Sequence, residues 1–130
     1  MTRALLLDTH AFLWYAAGHP AMPLPIRHAV ANAADVYVSA ASVWEASTKH
    51  RLGKLPIAAG VAAAGIPTVI VQLGLQPLSV DVEDGNLAGS FSQAHGDPFD
   101  RMLAAQAVRR GLALVSNDAA LDVFGVTRVW

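Results

Sequence analysis

The stretch ALLLDTHAFLW, residues 4–14, decides how the chain is to be read. Residues 4–7 are short, wholly apolar and bounded, the pattern of a strand buried on both faces of a parallel sheet. The run stops at Asp8, and an almost entirely apolar segment resumes after Thr9 and His10. A carboxylate at the edge of a core segment needs a reason. In open α/β sheets ligands sit beyond the carboxyl ends of the strands, and Asp8 stands at such an end.

Working outward, the chain alternates. Residues 11–17 are helical in character with Gly18 as the C-terminal cap, and HPAMPLP, residues 19–25, reads as a loop because its three prolines oppose a regular helix. A second helix is predicted over 26–34, a second strand over 36–38 and a third helix over 42–52, closed by Gly53. Residues 55–73 mix strand and helix signals and are assigned to helix. A strand over 75–80, helices over 82–92 and 98–110, a strand over 112–116, a short helix over 119–124 and a last strand over 127–130 complete the pattern. Strands alternating with helices imply a three-layer α/β/α arrangement around a mostly parallel sheet.

The 130 residues predict one domain spanning 1–130, long enough to bury a proper core. With 54% hydrophobic and 15% charged residues the chain is not disordered. It has no cysteine, which removes disulfides, thiolate metal sites and cysteine nucleophiles and fits a reducing, cytoplasmic setting. The N-terminal apolar run is too short for a signal peptide. Residues 55–80 carry no charge, but their prolines, glycines and glutamines argue against a membrane span. A net charge of −1 gives no global nucleic-acid footprint, so any basic patch must be local.

Three more acids share the placement of Asp8. Asp118 follows the strand in LALVSND, residues 112–118. Glu45 lies on the first turns of the helix after the second strand, and Asp100 lies in the first turn of the helix opened by GDPFDRM, residues 96–102. In a parallel sheet those positions form one edge. Each acid also has an ordinary explanation. Ser42 and Glu45 match a capping box. Asp97 caps, Pro98 takes the first turn and Asp100 complements the helix dipole. Asn117 or Asp118 fits as a cap at Ala119, and Asp8 as a cap for the first helix. Four carboxylates converging on one edge would repel unless protonated or bridged by a cation, and oxygen ligands without cysteine favour Mg2+ or Mn2+. No histidine pair has zinc-site spacing, and His10 reads as a packing or rim residue.

The segments LLLDTH, VSAASVWEASTKHRLGKL (residues 38–55), HGDPFDRMLAAQA (residues 95–107), LALVSND and the terminal GVTRVW, in this order and spacing, resemble the PIN domain, and within it the VapC toxins of bacterial toxin–antitoxin pairs. The resemblance covers nearly the whole chain and is weakest over 58–75. It implies a metal-dependent endoribonuclease whose acidic quartet falls on Asp8, Glu45, Asp100 and Asp118, with Asp8, Asp100 and Asp118 as metal ligands, Mg2+ as cofactor and Mn2+ as substitute. Ser116 occupies the hydroxyl position two residues before the last acid, and Thr9 is expected to orient Asp8 or a water. Such chemistry has a divalent ion bind a phosphodiester oxygen and activate water for in-line attack.

An RNA substrate needs cations near that edge. Lys49, Arg51, Lys54 and Arg101 are the candidates, although Lys49 lies four residues after Glu45, the spacing of an ordinary helix ion pair. The resemblance further implies a cognate antitoxin and a homodimer. Two other acid-after-strand families fit poorly. A haloacid-dehalogenase-type phosphatase wants a second Asp where His10 stands, and a receiver domain wants a late lysine, whereas none follows Lys54. A catalytically silent PIN-like module that binds RNA or protein is the alternative from a different class.

Overall fold

The computed structural model describes residues 3–130; Met1 and Thr2, the first two residues of the expected domain, lie outside that description. Five parallel strands, β1 (Leu5–Leu7), β2 (Val36–Ser39), β3 (Gln76–Leu78), β4 (Ala113–Val115) and β5 (Thr127–Val129), form one sheet in the order β3-β2-β1-β4-β5. Side-chain alternation sorts its two faces. Leu5 and Leu7, Val36 and Val38, and Ala113 and Val115 point to one face. There they meet α1 (Thr9–Ala17), α2 (Leu24–Asn32), α3 (Ala40–Arg51), α4 (Ala59–Ala64) and α5 (Ile66–Gln72). Leu6, Leu114 and the partly buried Tyr37 point to the other, covered by α7 (Pro98–Arg110) and a 3-10 helix (Ala119–Phe124). α6 (Val82–Ser90) leads from β3 into α7 and packs on it. This is the expected three-layer α/β/α arrangement, with every strand pair parallel.

The strand order positions the site. From β1 the chain steps outward to β2 and β3, then returns past β1 to β4 and β5. The direction of winding therefore reverses between β1 and β4, and the crevice at such a switch point is where open α/β sheets bind ligands. The Asp8 amide donates to the Val115 carbonyl at 3.0 Å, tying the two strand ends together there.

Several element limits differ from expectation. α2 starts at Leu24, ahead of the predicted 26, because Pro25 falls in the first turn, where a proline costs no hydrogen bond. α1 begins at Thr9, directly after its cap Asp8. The helix assigned to 55–73 is two short helices. Gly65, at φ 90°, breaks them apart, and Pro67 sits in the first turn of the second. β3 is shorter than the predicted 75–80, since Ser79 to Asp81 turn into the α6 cap.

Candidate active site

Four elements deliver carboxylates to one cleft of about 390 Å3, lined by Asp8, Thr9, His10, Glu45, Lys49, Asp97, Asp100, Asn117 and Asp118. All four acids expected at the sheet edge are therefore brought together. The capping explanation holds as well for two of them. Asp8 Oδ1 accepts from the Ala11 amide at 2.8 Å, and Asp118 Oδ1 accepts from the Ala120 amide at 3.0 Å. Each cap occupies one carboxylate oxygen, Oδ1, while the residue still lines the cleft.

Glu45 does not form the expected capping box with Ser42. The cap of α3 is Ser39, the last residue of β2, whose Oγ accepts from the Ala41 amide at 3.0 Å. The helix thus begins two residues early, and Ser42 falls inside it, buried, with no partner for its hydroxyl among the described residues. Glu45 is released from the helix start. Its Oε1 accepts from the Thr9 hydroxyl and its Oε2 from Lys49 Nζ, both at 2.5 Å. Thr9, expected to orient Asp8 or a water, holds Glu45 instead.

Asp97 caps α7, accepting from the Phe99 and Asp100 amides at 2.9 and 3.0 Å. That leaves Asp100 on the first turn with its side chain free to reach the cleft, where its Oδ2 lies 2.9 Å from His95 Nε2. One ligand atom each from His95, Asp100 and Asp118 lies within 4.8 Å of the other two. Asp8, expected as a ligand beside Asp100 and Asp118, stands on the cleft wall outside this trio. His95 was missed by sequence reasoning; its only signal was its place at the head of the HGDPFD segment.

The carboxyls behave as a crowded set. Burial pushes the Asp8 carboxyl above its ordinary value, against the opposing hydrogen bonds from Ser116 and the Ala11 amide, and Asp100 adds to the rise. Burial likewise raises Asp100, with Asp97 and Glu45 contributing repulsion and His95 opposing it. Negative charge here is costly without a cation, so the donor set fits a divalent ion held by oxygens. Ser116 is fully buried, and its Oγ also accepts from the Asp118 amide at 3.1 Å, so it couples two of the acids.

The expected phosphate-binding cations separate. Lys49 faces the cleft, its ammonium raised by the hydrogen bond to Glu45 and 5.8 Å from the centre of the Phe99 ring. Lys54 lines an adjoining groove of about 610 Å3 that shares His10 with the cleft, and Arg51 is exposed in the last turn of α3. Arg101 is turned elsewhere. Its guanidinium donates to the carbonyls of Ala88, Phe91, Gln93 and His95 at 2.6–2.9 Å, so its donors fix a loop rather than face a phosphate. His10 is an exposed rim residue, 5.6 Å from the Trp14 ring between centroids.

The model of the PIN domain family matches residues 5–126 of the chain. Ribonuclease VapC22 of Mycobacterium tuberculosis is 28% identical over 119 residues, which span 90% of this chain and 88% of that relative. VapBC2 from Rickettsia felis, solved bound to a DNA fragment from their promoter, superposes with a TM-score of 0.68 at 13% identity over 97% of each chain. FitAcB from Neisseria gonorrhoeae gives a TM-score of 0.58 at 24% identity over 97% of this chain and 96% of that one. At these identities the likeness to the two structures is one of fold.

Proposed function

The chain belongs to the PIN domain family, and from that premise we propose that it is a divalent-metal-dependent endoribonuclease acting as the toxin of a toxin–antitoxin pair in the cytoplasm. The observation that carries the reading is the convergence of Asp8, Glu45, Asp100 and Asp118 on one cleft at the switch point of the sheet. The similarity to Ribonuclease VapC22 supports the reaction, and the VapBC2 and FitAcB likenesses support a protein partner. Among the described residues no helix is long and apolar enough to cross a membrane.

Asp100 and Asp118 are the residues that hold the ion, with Asp8 behind them. A bound Mg2+ or Mn2+ supplies Lewis acidity toward a phosphodiester oxygen and lowers the pKa of water. Glu45, fixed at one oxygen by Thr9 and at the other by Lys49, orients the attacking water and accepts its proton. Lys49 is the cation that meets the incoming phosphate. Ser116 keeps Asp8 and the Asp118 backbone in register, so the carboxylates are preorganised rather than gathered by substrate. Lys54 and Arg51, beside the adjoining groove, take flanking phosphates of the RNA, contacts that give affinity without reading sequence. The chain works as a homodimer, and a cognate antitoxin restrains it.

The test is cleavage of structured RNA by the purified chain in Mg2+, Mn2+ or excess EDTA. Cleavage should require the metal, and full activity in EDTA with contamination excluded would overturn the mechanism. RNA binding without turnover under every metal would instead assign the chain to the silent-module class. Expression of the chain alone should slow growth, and co-expression of a small upstream reading frame, where one exists, should relieve it.

A further inference from the structure

The Asp100–His95 contact joins a half-buried acid to a half-buried imidazole. His95 Nε2 is 2.9 Å from Asp100 Oδ2, and one ligand atom each of His95, Asp100 and Asp118 lies within 4.8 Å of the other two. Ligands about 2.1 Å from an octahedral ion are roughly 3 Å apart when adjacent and roughly 4.2 Å apart when opposite. The 2.9 Å separation suits two adjacent ligands, and trio atoms no more than 4.8 Å apart need only a small inward shift to share one coordination sphere. A hydrogen bond to Asp100 alone would not require Asp118 to be near.

The imidazole is also placed by the same elements that carry the two acids. Residues 91–97 have no regular structure of their own. Arg101, the neighbour of Asp100 in the first turn of α7, binds the carbonyls of Phe91, Gln93 and His95 and so shapes the segment. The His95 ring meets Phe124 edge-on, with centroids 5.6 Å apart at 76°. Phe124 closes the 3-10 helix that Asp118 caps, and its ring also packs on Phe91 at 4.7 Å. The helix turn of Asp100 and the capped helix of Asp118 thus both grip the histidine.

Resting on the metal-site reading above, we propose that His95 is a direct nitrogen ligand of the divalent ion, beside Asp100 and Asp118, and that it biases the site toward a first-row transition ion such as Mn2+ over Mg2+. Mg2+ keeps oxygen ligands and several waters, whereas imidazole is a donor suited to transition ions.

The experiment is pulsed electron paramagnetic resonance on the full chain loaded with Mn2+, joined to Mn2+ and Mg2+ titrations by calorimetry. The wild-type spectrum should show coupling to a directly bound imidazole nitrogen. The coupling should vanish in His95→Ala and in His95→Gln and persist in His10→Ala, which alters the histidine that lines the cleft. Both His95 variants should bind Mn2+ at least about 10-fold more weakly, with Mg2+ affinity changed by less than about 3-fold. Because Gln can keep the hydrogen bond to Asp100, full Mn2+ affinity in His95→Gln would overturn direct ligation, as would a wild-type spectrum without nitrogen coupling. A wild-type chain that binds no Mn2+ would overturn the metal reading along with it. RNA cleavage plays no part in these readouts.

Discussion

Asp97 and Asp100 stand three residues apart in one motif, both line the cleft, and only their geometry separates a cap from a ligand. Asp97 spends Oδ1 on the Phe99 and Asp100 amides. Replacing it with Ala strips the first turn of α7 and should cost about 0.5–2 kcal/mol. For a chain of this length that lowers the melting midpoint by roughly 2–8 °C. Asp100→Asn should behave otherwise. Its carboxyl is pushed up by burial and by Asp97 and Glu45, so at neutral pH its charge costs stability in the absence of metal. Removing that charge should leave the metal-free midpoint unchanged or higher. Metal then separates the two. At a free concentration about 100 times Kd, a bound ion adds about 2.7 kcal/mol. In Asp97→Ala, Mn2+ should therefore raise the midpoint by several degrees and restore cleavage toward wild type. In Asp100→Asn it should do neither. Differential scanning fluorimetry with Mn2+ or EDTA, repeated on the cleavage assay, reads both. If metal rescues Asp100→Asn and fails on Asp97→Ala, then Asp97 is the ligand and the assignment of the two acids is reversed.

Asp8→Asn should keep the fold, since Asn also caps well, and should lower cleavage roughly 100-fold or more; wild-type turnover would remove Asp8 from the chemistry. The raised Asp8 and Asp100 carboxyls bind protons in the folded chain at pH values where the unfolded chain has released them. In EDTA, wild-type stability should therefore rise as pH falls from neutral toward about 4, and Asp8→Asn should flatten that slope in urea denaturation. Asp84 has the opposite sign. Burial would raise it, but the Asp81 amide, Arg110, Arg109 and Gln106 hold its fully buried carboxyl at about 2. Its contribution is present above the ordinary carboxylate range and lost as pH falls from about 4 to about 2. Asp84→Asn should cost about 2–3 kcal/mol at pH 7, less than a fully buried broken pair because Arg109 and Arg110 are partly exposed and keep Asp81. Its cleavage rate per folded molecule should be unchanged; a loss of turnover would tie this remote cluster to the site.

What the chain discloses by itself depends on whether a feature is local. β1 and β4 are legible because a strand buried on both faces is an unbroken apolar run, and Asp8 and Asp118 are legible because they follow those runs within a few residues. Glu45 and Asp100 need only the helix starts. The limits of α3 were ambiguous for a local reason too. VSAAS, residues 38–42, offers two serines in cap-like context, and the choice of Ser39 over Ser42 is made by where β2 ends in the sheet. The placement decides the partners of Glu45, which turns to Thr9 and Lys49 rather than back to the start of α3. His95 and Arg101 were illegible for a different reason. Neither belongs to a periodic pattern at the point of contact, and the path of residues 91–97 is set by an arginine further along the chain bonding backward to carbonyls. An arginine beside a catalytic acid reads, in sequence, as a phosphate ligand, and only its hydrogen bonds show that its charge is spent on the backbone.

The acids themselves illustrate why capping and chemistry need not be rival explanations. A capping carboxylate binds backbone amides through one oxygen and is thereby fixed in direction, at low conformational cost, at the N-terminus of a helix. In a parallel α/β sheet every such terminus that follows a strand opens on the carboxyl edge. Asp8 and Asp118 are caps on the two sides of the switch point, and both line the cleft there. Removing the cap function while keeping the charge would therefore impair the site as well. Asp8→Glu, one methylene longer, should retain a negative charge yet lose the bond to the Ala11 amide. If orientation by the cap is what matters, Asp8→Glu should fall nearly as far in cleavage as Asp8→Asn, with α1 destabilised by about 0.5–2 kcal/mol. Near-wild-type cleavage in Asp8→Glu would show that charge in the cleft suffices and that the cap is incidental to the chemistry.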